Sequence, residues 1–389
     1  MTRPQDSPLP SHRLRLVFWA AVALAAFLFW RGNLRGPSLG DVTLPDGFHL
    51  EAWATGVEDA RQMALGPRGT VFVGTRHAGR VYAITDEDGD GRADRLRVLA
   101  EGLDGPNGVA VRDGDLYVAE VGRILRWEAV EDRLDAEPPP AVVHAGYPTG
   151  GPHAWKYIAF GPDSMLYVPV GAPCNVCAAD SIAASITRLR IDSTGKADPA
   201  GPEVFARGVR NTVGFAWHPE TRELWFTDNG RDFLGDDLPP DELDHAPVPD
   251  LHFGFPYCHG RAIPDPEFGA GRECSEFTPP AVELDAHVAA LGVLFYTGTM
   301  FPEAYRGQLL VAEHGSWNRT LPQGYRLTLV RFEAGKPMDR EVFAEGWLRR
   351  SRAWGRPVAL LQLADGSVLV SDDRAGAIYR LTWGDQASR

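Results

Sequence analysis

The chain has 389 residues, 44% of them hydrophobic, a length that all-β propellers and barrels often use for one domain. Its formal net charge of −13 excludes a nucleic-acid binder, which needs a basic face, and argues against simple adhesion to an anionic membrane. An anionic ligand would have to be met by arginines gathered locally.

In chain order, the first feature is "RLRLVFWAAVALAAFLFWRGNLRG". An arginine-bearing start (residues 1–15) leads into an uncharged apolar run from Leu16 to Trp30. The run is shorter than the ~20 residues of a comfortable span and suits a signal h-region. Its only A-x-A, Ala23 to Ala25, lies inside the run and not after it, so the reading is an uncleaved signal anchor, with a cleaved signal peptide as the alternative. Either sets the body on the periplasmic side or outside the cell and limits membrane contact to this segment. Residues 31–44 read as a linker.

From residue 45 one unit recurs: an alternating apolar strand, a Gly/Pro/Asp turn and a second apolar strand. The copies are "QMALGPRGTVFVGTR", "GVAVRDGDLYVAE", "YIAFGPDSMLYVPVGA", "GFAWHPETRELWFTDNG", "GVLFYTGTMFPEAYRGQLLVAEHG" and "VALLQLADGSVLVSDD". A third strand often follows, as in "GRVYAIT", "GRILRWE", "ITRLRID", "YRLTLVRF" and "GAIYRLTW". Equivalent positions Leu65, Val111, Phe160, Trp217, Phe295 and Gln362 lie 46, 49, 57, 78 and 67 residues apart, which suits four-stranded blades of ~40–50 residues with late insertions. The fold class is all-β, a six-bladed β-propeller over residues 45–384. The early strand "FHLEAWAT" is expected to complete the last blade and close the ring.

Within the first blade, "TDEDGDGRAD" sets Asp86, Asp88, Asp90 and Gly91 like the start of a D-x-D-x-D-G calcium loop, with Asp94 at the ninth position. Position twelve is Arg97 and no helices flank it, so this is no EF-hand. It reads as an accessory calcium site or as a plain acidic turn. Of the four cysteines, Cys174 and Cys177 form "CNVC" without a following histidine, and Cys258 and Cys274 are too far apart for a zinc knuckle. In an exported chain they are expected to form disulfides. Spacing does not fix the connectivity, though Cys258–Cys274 is the safer pair.

In a propeller, the starts of the innermost strands and the exits of the next strands share one face. Polar residues at the starts are Asn107, His153, Arg210, Asn211 and Arg356; those at the exits are Arg76, Glu120, Asp228, Asn229, His314 and Asp373. Three arginines and two histidines from different blades thus converge on one end of an acidic protein, as a concave site for an anionic ligand would require. G-x-S-x-G, the Walker A loop and a G-x-G-x-x-G after a strand are all missing, so acyl transfer, P-loop hydrolysis and Rossmann-type nicotinamide chemistry lack their usual residues.

"GPHAWKYIAFGPD…LYVPVGAPCNVC", "GVRNTVGFAWHP", "AEHGSWNR" and "GRPVALLQLADGSVLVSDDRAGAIYRL" resemble the L-sorbosone dehydrogenase branch of the soluble quinoprotein glucose/pyranose dehydrogenases. The resemblance spans roughly residues 45–384. It implies a six-bladed propeller that binds pyrroloquinoline quinone (PQQ) and Ca²⁺ and oxidises a sugar or sugar-derived aldehyde, passing electrons to an acceptor the sequence does not identify. By position it implies His153 as catalytic base, Arg210 and Asn211 as the family's Arg-Asn pair, Arg356 and Arg76 as cofactor contacts, and Gly230 and Arg231 as backbone carbonyl donors to calcium. Asn107 stands where glucose dehydrogenases carry glutamine. Their cofactor lysine has no direct counterpart, and its place is filled by His314, Trp317, Asn318 or Arg319. Pro152, Val213 and Trp354 replace an aspartate, a glutamine and an arginine, departures that bear on glucose specificity. Two other functions compete: a calcium-dependent lactonase-like propeller hydrolase, and a non-catalytic propeller binding carbohydrate or protein on the same face.

Overall fold

In the computed structural model, which describes residues 38–136, 139–179 and 182–384, each of the six alternating segments becomes the first strand of an antiparallel sheet. The expected n-region, the anchor or signal segment at 16–30 and the linker up to residue 37 lie outside the described residues. Among the described residues no helix is long and apolar enough to cross a membrane. The chain falls into two units, Met1–Asp41 and Val42–Arg389. The described part of the first is a 3₁₀ turn, Leu39–Asp41, in which Ser38 N donates to Asp41 Oδ2.

The second unit is the propeller. Blade one runs Ala60–Leu65, Val71–Thr75, Val81–Thr85 and Arg95–Ala100; blade two runs Gly108–Arg112, Asp115–Ala119, Arg123–Trp127 and Ala141–Ala145. Blade three comprises Ala159–Phe160, Leu166–Val170, Ser185–Leu189 and Glu203–Arg207, with Leu251–His252 added in parallel at its edge. Blade four is Phe215–Trp217, Leu224–Asp228, Pro240–Ala246 and Val282–Ala286, and blade five is Ala290–Phe295, Leu309–Glu313, Arg326–Glu333 and Lys336–Glu345. Blade six is Pro357–Gln362, Val368–Asp372 and Ala377–Trp383, completed as expected by Phe48–Thr55, which pairs antiparallel from Phe48↔Trp383 to Thr55↔Ala377.

Apolar positions alternate because each sheet is covered on both faces by its neighbours, so the core is layered between blades. Phe72, Val118 and Trp127 pack between blades one and two, Tyr117, Ile158 and Val168 between two and three, and Trp225, Val293 and Val311 between four and five. Around the axis the first strands touch one another directly. Gly214 shows how close they come: a Cβ there would lie 2.1 Å from the carbonyl oxygen of Leu291.

Two features departed from expectation or were left open by the sequence. The third strand of blade four, Pro240–Ala246, carries no apolar alternation and instead buries Asp241, Glu242 and Asp244. Both cysteine pairs close, Cys174–Cys177 and Cys258–Cys274. The second staples the long insertion after that strand.

Candidate functional site

The first-strand starts of several blades and the second-strand exits open into one cavity of about 370 Å³, the scale of a small-molecule site. His153, Arg210, Asn211, Arg356, Arg76, His314, Trp317, Asn318 and Gly230 all line it. Arg61, Trp155, Asn175, Asp232, Asp241 and His287 line it too, and sequence reasoning had not singled them out.

His153 is 8% exposed. Its Nδ1 lies 2.8 Å from the carbonyl oxygen of Ala172; a carbonyl can only accept, so Nδ1 carries the hydrogen and Nε2 keeps a lone pair. Burial, then Arg210 and Arg76, push its pKa down to about 4, leaving the ring neutral at neutral pH. Gly171 allows this placement, since a Cβ there would stand 2.5 Å from that of His153.

Arg210, 4% exposed, is held by the loop that carries Cys174 and Cys177. Its Nε donates to Asn175 O at 2.8 Å, Nη2 to Asn175 Oδ1 at 2.8 Å and to Asp232 Oδ2 at 3.2 Å, and Nη1 to Asn229 O at 3.0 Å. Asn175 is locked in turn: its amide donates to Asp232 O, and Asp232 N donates to its Oδ1. It sits inside the Cys174–Cys177 disulfide ring, so a covalent loop sets the position of the guanidinium.

Arg356 donates from Nε and Nη2 to the carbonyls of His314 and Gly315. Arg76 lies with its guanidinium carbon 3.4 Å from the ring centroid of Trp155, a cation–π contact, and burial with Arg61 nearby lowers its pKa to about 10. Arg61 donates to Asn107 Oδ1 at 2.9 Å and pairs with Asp373 at 2.8 Å. His314 Nε2 also meets Asp373, at 2.9 Å. Burial drives the His314 pKa down to about 4, so this contact is a neutral imidazole N–H donating to an ionised carboxylate, and Asp373 stays below the usual carboxylate range.

Other expected residues fall elsewhere. Asn107 is buried beneath the cavity, joining Arg61 to the carbonyl of Lys156. Arg319 turns away to Asp237 and to the carbonyls of Asp236 and Ala286. The Arg231 side chain pairs with Asp265 and Glu267. Two exit carboxylates grip backbone: Asp228 accepts from Arg210 N and Asn211 N, its pKa raised to about 7 by burial, and Glu120 accepts from Asp104 N. Pro152 and Val213 line the cavity, while Trp354 stacks on Trp347. The acidic turn lies between the third and fourth strands of blade one. There, ligand oxygens of Asp86, Asp88 and Asp94 lie within 4.8 Å of one another; Asp90 is not among them, and all four aspartates accept backbone N–H groups of the turn.

Arg61 was missed because the repeat legible in the sequence starts at Gln62, whereas the strand itself starts at Ala60. Asn175 and Asp232 carry no sequence signal beyond flanking a cysteine and an arginine.

Comparison with known proteins adds a frame. The family described as TrAA12-like matches residues 42–384. An uncharacterized protein of Borreliella burgdorferi is 31% identical over 356 residues, covering 87% of this chain and 90% of that one. Among solved structures, the Trichoderma reesei protein of Carbohydrate-Active Enzymes Family AA12 superposes with a TM-score of 0.77 at 20% identity, over 88% of this chain and 98% of that one. The holo PQQ domain of pyranose dehydrogenase from Coprinopsis cinerea gives 0.73 at 19% identity, over 88% and 97%. The PQQ-bound aldose sugar dehydrogenase of Streptomyces coelicolor gives 0.60 at 21%, over 87% and 99%. At these identities the structural likeness is one of fold.

Proposed function

This chain belongs to the TrAA12-like family, and on that premise we propose that it is a PQQ- and calcium-dependent sugar dehydrogenase acting on an aldose, a pyranose or a sugar-derived aldehyde such as sorbosone. One observation carries the reading: among the described residues neither Arg76 nor Arg356 forms an ion pair with a carboxylate, although both line a cavity in a chain of net charge −13. Two unpaired guanidiniums, crowded by Arg61, call for an anionic ligand, and arginine forks suit carboxylates. PQQ has three carboxylates. Solved structures support the choice: two of those named are PQQ-bound or holo forms, and a separate calcium structure of the Trichoderma protein superposes with a TM-score of 0.76 at 20% identity, over 88% of this chain and 97% of that one.

Arg76, Arg356 and Asn211 would hold the cofactor, with His314, Trp317 and Asn318 bounding it. Among the described residues no hydrogen bond reaches the carbonyl oxygen of Gly230 or Arg231, which leaves both for calcium. Asp86, Asp88 and Asp94 serve as an accessory calcium site, well apart from the chemistry. When bound, PQQ would supply the acceptor for the hydride leaving the sugar carbon. His153 takes the hydroxyl proton at Nε2, because Nδ1–H is committed to Ala172. Arg210 holds its charge at a fixed point beside His153, where it stabilises developing negative charge and keeps the imidazole deprotonated. An export segment at 16–30 would set this enzyme outside the cytoplasm, where its disulfides form, with an electron acceptor still to be identified.

The hydrolase reading is weaker, since Asp228 grips backbone and Asp373 is held by Arg61 and His314. The deciding experiment adds PQQ and CaCl₂ to purified protein, then follows quinone absorbance and dye reduction with aldoses and sugar aldehydes. Dye reduction requiring both additions is expected. Lactone hydrolysis without PQQ would return the hydrolase, and sugar binding without either reaction would leave a binding protein.

A further inference from the structure

The cavity mouth carries a feature that the proton and hydride chemistry does not use. Among the described residues, the three most exposed large apolar side chains are Phe233 (71%), Leu321 (70%) and Trp317 (68%). All three lie on two loops, the one leaving the second strand of blade four and the one leaving the second strand of blade five. Phe233 and Trp317 meet at right angles, ring centroids 5.9 Å apart and planes at 89°. Trp317 also lines the cavity itself.

This corner is built and held. Phe233 has φ +71°, a left-handed conformation that bulky residues adopt only where their surroundings enforce it. The preceding residue, Asp232, is tied to Asn175 and receives the amide of Asn318 at 2.9 Å. Thr320 N donates to Asp236 Oδ1 at 3.0 Å, and Arg319 reaches Asp236 O and Asp237. Two loops from different blades are thereby knitted into one rim, and that rim presents aromatic rings to water. Large exposed apolar patches mark binding surfaces.

We propose that the Phe233–Trp317 corner is an outer sugar subsite that stacks the second ring of an oligosaccharide whose terminal ring reaches His153. The inference rests on the sugar-dehydrogenase reading and adds the length of the substrate. Sugar rings offer C–H faces to aromatic rings and hydroxyls to carboxylates and amides, and here Asp232 and Asn318 line the cavity together with Trp317. Depth separates the two rings: His153 is 8% exposed, while the aromatics are two-thirds or more exposed. Trp317 lines the same cavity as His153, so a linked second ring can cover the exposed rim while the first ring meets the base. At the patch Arg319 is paired with Asp237 and Thr320 N donates to Asp236, so these loops offer no free cation cluster for an anionic lipid surface.

The test is calorimetric titration of the protein with glucose, cellobiose, cellotriose, maltose and maltotriose, with and without PQQ and Ca²⁺, alongside dye reduction. The wild type should bind one disaccharide series about tenfold tighter than glucose. Phe233→Ala should remove that gain, and Phe233→Tyr should keep it. Equal affinity for mono- and disaccharides, a gain that survives Phe233→Ala, or no binding of any of these sugars overturns the proposal. So does self-association or sedimentation with anionic vesicles that Phe233→Ala abolishes, which would assign the patch to a second copy or to lipid. A disaccharide gain without dye reduction keeps the subsite and sinks the dehydrogenase; dye reduction without the gain does the reverse.

Discussion

A histidine that acts as a base must be neutral when substrate arrives, and the surroundings of His153 keep it so. Burial and two guanidiniums hold its pKa near 4, below the ~6.5 of a free imidazole. The shift is downward, so the base form persists into acid. The acid limb of kcat/KM for the reconstituted enzyme should therefore fall below pH 6, and His153→Ala should lower turnover by ~10²–10⁴. A limb at pH 6.5 or above would exclude both His153 and His314, whose pKa burial also drives down to about 4. Wild-type turnover in the alanine variant with a limb below pH 6 would move the base to His314. Asn175 acts through Arg210 and should behave differently. Asn175→Ala removes the acceptor of Arg210 Nη2 and unlocks Asp232; losing one hydrogen bond to a charged group costs about 1.5–3 kcal/mol. Turnover should then fall roughly 10–100-fold, with partial recovery in Asn175→Asp, whose carboxylate can still accept. An unchanged kcat in Asn175→Ala would show that Arg210 needs no clamp. His153, Arg210 and Arg356 were legible because they stand at fixed offsets from repeating strands. Asn175 and Asp232 were not, because their contacts arise only when two loops fold back on each other.

At the level of elements, alternation revealed five third strands and missed Pro240–Ala246. That strand buries carboxylates where its neighbours bury valine and leucine, and hydropathy has no pattern for that. The two disulfides divide stability from function. Cys258–Cys274 closes a separation of 16 residues and Cys174–Cys177 one of 3. Chain entropy gives about 3 kcal/mol for the longer loop and about 2 kcal/mol for the shorter. Replacing Cys258 and Cys274 with serine should lower the melting temperature more. Replacing Cys174 and Cys177 should lower turnover more, because Asn175 lies inside the smaller ring and holds Arg210. Melting curves and steady-state rates on the two double variants check this. Equal turnover in both would separate the small ring from the site.

For the whole molecule, the ring closes where the two ends of the propeller chain meet. Phe48–Thr55 pairs with Ala377–Trp383, and the site spans the same seam: Arg61 from blade one pairs with Asp373 at the exit of blade six. Closure and the proposed cofactor site thus share a boundary, but different residues carry them. Phe48 is buried and meets Phe301, Tyr305 and Phe343 edge-on, with centroids 4.9–5.0 Å apart. Phe48→Ala should cost about 3–5 kcal/mol, seen in denaturant titration, while the fraction still folded binds PQQ as the wild type does. Arg61→Ala should show the opposite balance. It deletes one of the cations that crowd Arg76 and leaves Asp373 to His314 alone, so PQQ affinity should fall by tenfold or more while the first strand of blade one, held by its ladder to Val71–Thr75, stays paired. If Phe48→Ala weakened PQQ binding at temperatures where it is fully folded, the seam would be part of the site and not only its frame.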